Sequence, residues 1–257
     1  MKIDCFLDSE LWESQYAESD EIIMLPMIQK LNGEFEMPDC DEAAEFAAEN
    51  PEILKKFTGD FTEAFEEWAA SDKLEDPEIC ERLATFTYGL WMLAGAFVTF
   101  DIAQRLYNAF TVPANETNIA VFENIVSLII KSTDGVEALT EILELRFDRG
   151  EFRDGEVSAV SQITSGEIKS DRFYKFLRRL VKNYKESSAV YCVLIDCVGD
   201  YGDNRAVSFL RTLMGKYHDL GLKYADNKDR VNLEYCKMFY MHFLGAIRKL
   251  GGNTELD

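Results

Sequence analysis

Lys175, Arg178, Arg179 and Lys182 recur at three-, four- and seven-residue spacing, so on a helix they share one face, with Arg172 and Lys185 beside them. Six cations gathered in this way suit the binding of an anion, whether a carboxylate-rich protein segment, a phosphate or a nucleic-acid backbone. The same face is also what a solvated surface looks like when it offsets acidity elsewhere in the chain. Thirty-three residues on, the equivalent face carries Arg205, Ser208, Arg211, Thr212 and His218, a much less basic set. A groove tracking a nucleic acid would more naturally repeat its charge, and this asymmetry favours the solvated reading. Arg178 and its counterpart Arg211 lie away from the apolar arc. With Lys175, Arg179 and Lys182 they form the candidate partner-binding set.

No other constellation suggests a reaction. The two histidines, His218 and His242, belong to no H-x-x-x-H pair and adjoin no Ser or Cys nucleophile motif. Acids cluster at helical spacing, as in Glu63, Glu66 and Glu67 or Asp196, Asp200 and Asp203, and on so acidic a chain they read as solvated faces. No glycine-rich phosphate loop follows a strand, and residues 148–155 lack the ladder of acids that a calcium loop needs. No catalytic residue, cofactor or metal ligand is expected. The six cysteines show no C-x-x-C pair or zinc-ligand spacing with histidine, and they read as small buried apolar residues in a reducing compartment.

The basic face sits in the first of two copies of one unit. Val157, Val160, Gly166, Arg172, Phe176, Leu177, Arg178, Leu180 and Tyr184 recur 33 residues later as Val190, Val193, Gly199, Arg205, Phe209, Leu210, Arg211, Leu213 and Tyr217. Nine identities over 28 positions without a gap mark a repeat array. Weaker echoes of its Phe-Leu-x-x-Leu core fall at Ala138-Leu139 and Phe243-Leu244. Tyr184 and Tyr217 lie on the apolar arc with Phe173, Leu177, Leu180 and Val181, and the repeated Arg172 and Arg205 begin their helices.

Apolar spacing is helical nearly throughout, with no sustained alternation of period two, so the chain reads as all-α. Asp76-Pro77 starts a helix predicted to run through Leu83, Leu90 and Leu93 to Phe110, where Pro113 stops it. Asn50-Pro51 starts another, which Gly59 is expected to divide. The first 50 residues, interrupted by Pro26 and Pro38, suggest shorter helices. Seven helices follow, near 117–131, 136–149, 156–164, 171–186, 188–198, 204–217 and 229–250, and the short turns between them make sequential helices antiparallel neighbours.

Val198-Gly199-Asp200-Tyr201-Gly202-Asp203-Asn204-Arg205, with the Ala206-Val207-Ser208-Phe209-Leu210 that follows, resembles the inter-helix turn and second helix of HEAT-like repeats. The first copy departs from it at Ser165-Gly166-Glu167-Ile168-Lys169-Ser170. The resemblance implies a right-handed α-α superhelix whose concave side is a binding surface, and it implies no particular ligand. The expected organisation is an acidic helical region over 1–115 capping HEAT-like helix pairs over 116–252, with a flexible tail over 253–257.

Charge narrows the partners. The net charge is −20, and residues 1–90 hold 24 acidic and 6 basic side chains. Such a surface repels phosphate backbones and disfavours whole-molecule nucleic-acid binding, leaving only a local patch able to supply it. The 18 uncharged residues from Leu83 to Phe100 reach the lower limit for a membrane span, but no basic cluster flanks them, and a helix buried on all sides is expected instead. A cytoplasmic location follows, since the N-terminus carries no secretory signal. The leading expectation is a non-catalytic protein-binding scaffold or adaptor. Polyanion binding through 169–185 and an immunity-like acidic inhibitor of a basic partner are the alternatives.

Overall fold

The computed structural model describes residues 2–71, 76–94, 98–110, 115–153, 155–184 and 187–254, and these form helices and loops without a strand. They divide into two compact units, Met1–Asp148 and Arg149–Asp257. The first carries 9 basic and 32 acidic side chains, the second 18 and 15, so net charges of −23 and +3 separate along the chain.

The first unit begins with α1 (Asp4–Leu7), α2 (Ser9–Tyr16), a 3₁₀ segment (Asp20–Met24) and α3 (Leu25–Leu31), which Pro26 opens. Next come α4 (Cys40–Glu49), α5 (Pro51–Ala69), α6 (Pro77–Ala94), α7 (Phe100–Ala109), α8 (Ile119–Lys131) and α9 (Gly135–Asp148). Phe6, Trp12, Phe57, Phe61 and Phe86 cluster: Phe6 meets Phe57 and Phe61 edge to face at 5.3 and 5.5 Å and Trp12 at a tilt at 5.6 Å, while Phe61 stacks on Phe86. Alternate helices touch: α4 packs on α6 and α6 on α8, while α5 packs on α7 and α7 on α9.

Gly59 does not divide α5, which runs unbroken through it. Leu54, Phe57, Phe61, Phe65 and Trp68 form one buried stripe. Burying those side chains, at roughly 1.5–3 kcal/mol each, outweighs the ~1 kcal/mol that one glycine costs a helix. Asn50-Pro51 starts α5 as expected, but the Asn50 side chain makes no capping bond to it: its amide donates to Phe46 O at 3.0 Å and so closes α4. Asp76 acts as expected, accepting from the backbone N–H groups of Glu78 and Ile79 at 3.1 and 3.3 Å.

The single helix expected from Pro77 to Phe110 is two helices. Thr99 has an extended backbone and its hydroxyl accepts from Ile102 N–H at 3.4 Å, so it begins α7. Pro113, expected as the stop, lies outside the described residues. α6 is buried on one side only: Leu83, Phe86, Leu90 and Leu93 face inward, while Tyr88 is half exposed. Among the described residues no helix is long and apolar enough to cross a membrane.

The second unit comprises α10 (Glu156–Ser165), α11 (Asp171–Asn183), α12 (Ser188–Tyr201), α13 (Ala206–Asp226) and α14 (Arg230–Lys249). α10 packs on α12, α12 on α14, α11 on α12, and α13 along α14. Gly199 was read as part of the turn after the first helix of its copy, yet it lies inside α12. There it lets α14 approach so closely that a Cβ would fall 2.8 Å from Ala246 Cα. The turn comes at Gly202, in the left-handed region at φ 79°, which a side chain would strain. α13 continues nine residues past the expected end at 217, and there buried Gly221 carries on the seam against Leu233 and Cys236 of α14.

Candidate functional site

Ser170 starts α11 by accepting from Phe173 N–H at 3.1 Å. Its own N–H donates to Tyr201 Oη at 2.7 Å, and that hydroxyl donates back to Ser170 O at 2.9 Å. This buried two-way bond fixes the start of α11 to the end of α12. From there Phe173, Tyr174, Phe176, Leu177, Leu180 and Val181 turn inward. The basic stripe is left facing α13.

Lys175 and Lys182 are exposed, and Arg178 and Arg179 are half buried. Lys175, Arg178, Arg179 and Lys182 form one wall of an open groove of about 660 Å³, and Arg205, Ser208, Phe209, Thr212 and Leu213 of α13 and its N-cap form the other. Arg211 lines a neighbouring opening of about 880 Å³ with His218 and Asp219. The two openings share Arg205, Ser208 and Thr212, so the five candidate residues lie on adjoining surfaces along α13. Lys185, the sixth cation of the stripe, lies outside the described residues.

Aromatic rings fix the direction of the guanidinium groups. That of Arg178 lies 4.8 Å from the Phe209 ring and 5.6 Å from that of Tyr174, and that of Arg179 lies 5.6 Å from the Phe176 ring. Arg205 stands 4.6 Å over Tyr174 and donates to Asp171 at 2.7 Å and Asp203 at 2.6 Å. Those bonds hold both carboxyls below the usual range and raise Arg205 further. Burial pushes the Tyr174 hydroxyl up, opposed by the charge of Arg178. Arg205 is thus neutralised locally. Lys175, Arg178 and Lys182 have no carboxylate within ion-pair distance among the described residues, and Arg178 Nε is buried without an acceptor there.

Sequence reasoning missed three members of this arrangement. Arg205 is read from the sequence as a helix start on the less basic face, although Asp203 two residues earlier signals a local pair. Tyr174 precedes Arg178 by four residues, the spacing of helical neighbours, and could have been found from it. Phe209, read as repeat core, is only half buried and reaches the groove.

Elsewhere His242 Nδ1 lies 2.9 Å from Asp196 across the seam of α12 and α14, although neither residue is near the other in sequence. An oriented imidazole needs a nucleophile to act on. Cys192, one turn before Asp196, is buried, and burial pushes its thiol up to about 11, away from a reactive thiolate. Among the described residues no three His, Cys, Asp or Glu side chains are placed to hold a metal ion. All six cysteines are free thiols; Cys80, Cys192, Cys197 and Cys236 are buried, whereas Cys40 is exposed. In the first unit Glu66 is taken up by Arg105, at 3.0 and 2.6 Å, leaving Glu63 and Glu67 exposed. A nearly wholly apolar groove of about 510 Å³ also runs between α13 and α14, rimmed by Leu222 and Met241.

Compared with protein-family models, curated proteins and solved structures, the chain matches none of them.

Proposed function

We propose that the chain is a non-catalytic protein-interaction scaffold that holds an acidic segment of a partner protein in the groove between α11 and α13. One observation carries this reading: Lys175, Arg178 and Lys182 face α13 without ion-pair partners among the described residues, and Arg178 is oriented by Tyr174 and Phe209. Ordered cations lose less side-chain freedom on binding than solvated ones.

The alternate-helix contacts in each unit, together with the 33-residue repeat, support a right-handed HEAT-like α-solenoid as the architecture of this scaffold. Free thiols support a reducing, cytoplasmic setting. Nucleic-acid binding is the weaker reading, because Asp171 and Asp203 stand beside the groove and the first unit carries a charge of −23. That same acidity keeps the inhibitor of a basic partner as a further reading.

Fluorescence anisotropy with a labelled glutamate-rich peptide and a labelled DNA duplex of equal length tests the proposal. The expected result is salt-sensitive peptide binding, lost in the Arg178→Glu, Lys182→Glu double variant, with weaker duplex binding. Equal peptide affinity in wild type and variant would remove the groove from the function.

A further inference from the structure

We infer that the groove between α11 and α13 receives a single phosphoryl group carried on the partner's segment. The inference rests on the scaffold reading and narrows what the groove recognises.

The extent of the groove carries the argument first. Lys175, Arg178 and Lys182 follow one another at three- and four-residue steps, so their row spans about 10 Å of helix. Asp171 and Asp203, both bound to Arg205, close one end, and Asp219 stands beside the adjoining opening that shares Arg205, Ser208 and Thr212. A long polyanion laid along these helices would run past the cations onto those carboxylates. A discrete anion needs only the cations, with Asp171 and Asp203 offset by Arg205.

The donors then select its chemistry. Arg178 offers a planar fork steadied by two rings, and its buried Nε has no acceptor among the described residues. Lys175 and Lys182 flank it as mobile point charges, and Ser208 adds an exposed hydroxyl from the facing helix. A carboxylate presents two oxygens in one plane, whereas a phosphoryl group presents three around a centre bearing nearly two charges. Donors converging from two helices and from both sides of Arg178 suit the second shape. Phe209 and Leu213 supply an apolar strip on which the aliphatic part of a phosphorylated side chain can lie.

The test uses the full chain immobilised against three matched degenerate peptide libraries, alike except for a central phosphoserine, serine or glutamate. The phosphoserine library should be retained over the glutamate one by about tenfold, the worth of one added charge-assisted hydrogen bond. Arg178→Lys, which keeps the charge and loses the fork, should erase that preference while leaving glutamate retention. Inorganic phosphate titrated into labelled protein should shift amide resonances of α11 and α13. Equal retention of the phosphoserine and glutamate libraries would overturn the phosphoryl inference and leave the acidic-segment reading standing. Retention of none, or tighter binding of a DNA duplex than of any library, would overturn both. Circular dichroism of Arg178→Lys guards against loss of fold.

Discussion

Arg178 of α11 and Phe209 of α13 meet across the basic groove, guanidinium to ring at 4.8 Å, although 31 positions separate them. The contact couples the repeat to the site. Phe209 is the second copy's version of Phe176, which is fully buried, and by standing half exposed it becomes the surface on which the first copy's arginine rests. Replacing it by leucine keeps apolar bulk and removes the ring. A cation over a partly exposed ring is worth about 0.5–1 kcal/mol. Phe209→Leu is therefore expected to weaken binding of a glutamate-rich peptide about two- to fivefold. Isothermal titration checks this, and an unchanged affinity would show that the ring does not orient Arg178 for binding.

Tyr201 carries a different kind of weight. Its hydroxyl accepts from Ser170 N–H and donates to Ser170 O in a buried setting, so Tyr201→Phe strips both backbone groups of their partner. Each unsatisfied buried group costs about 1–3 kcal/mol, which predicts a loss of about 2–4 kcal/mol in urea unfolding. A change below about 0.5 kcal/mol, the scale of an ordinary surface substitution, would mean that water replaces the hydroxyl. Because α11 carries the groove, peptide binding should weaken alongside stability.

Much of the scaffold behind these contacts was legible in the sequence. Asp76-Pro77 marked a helix start, and the starts of α8 to α14 fell within about two residues of their expected places, because caps and apolar spacing are local signals. The helix start at Thr99 was not visible, since an uncharged run hides the inward and outward faces that would have marked it. The basic stripe was visible as a face but not as a wall. What covers a helix face depends on residues distant in sequence, and Arg178 against Phe209 or His242 against Asp196 has no local signature.

Two glycines of opposite sign separate local propensity from packing. At Gly59 a Cβ would meet nothing within 4 Å, so Gly59→Ala should stabilise the first unit by about 0.5–1 kcal/mol. At Gly199 the added carbon would lie 2.8 Å from Ala246 Cα and 3.1 Å from its Cβ. The same helix preference is then outweighed by about 1–3 kcal/mol of overpacking, and Gly199→Ala should destabilise. Thermal melts of the two variants should move in opposite directions. A stabilised Gly199→Ala would disprove the close approach of α12 and α14.

In the first unit, acid sensitivity should show at one ion pair. Lys56 reaches Glu21 at 2.7 Å and Asp60 at 2.9 Å, and the hydrogen bond from Lys56, helped by Ser19, lowers Glu21 from 4.5 to about 2. A carboxyl depressed in the folded state adds stability that is fully present above its unfolded value and is lost as pH falls through the folded one. The window is therefore pH 4.5 down to 2. Lys56 is about half exposed, which limits the pair to about 1 kcal/mol. In Glu21→Gln that contribution should be missing at pH 7, and the difference from wild type should shrink across the window and vanish near pH 2. Urea midpoints measured at intervals between pH 2 and 7 would reveal it, and a difference independent of pH would assign the loss to packing of the Glu21 side chain instead of its charge.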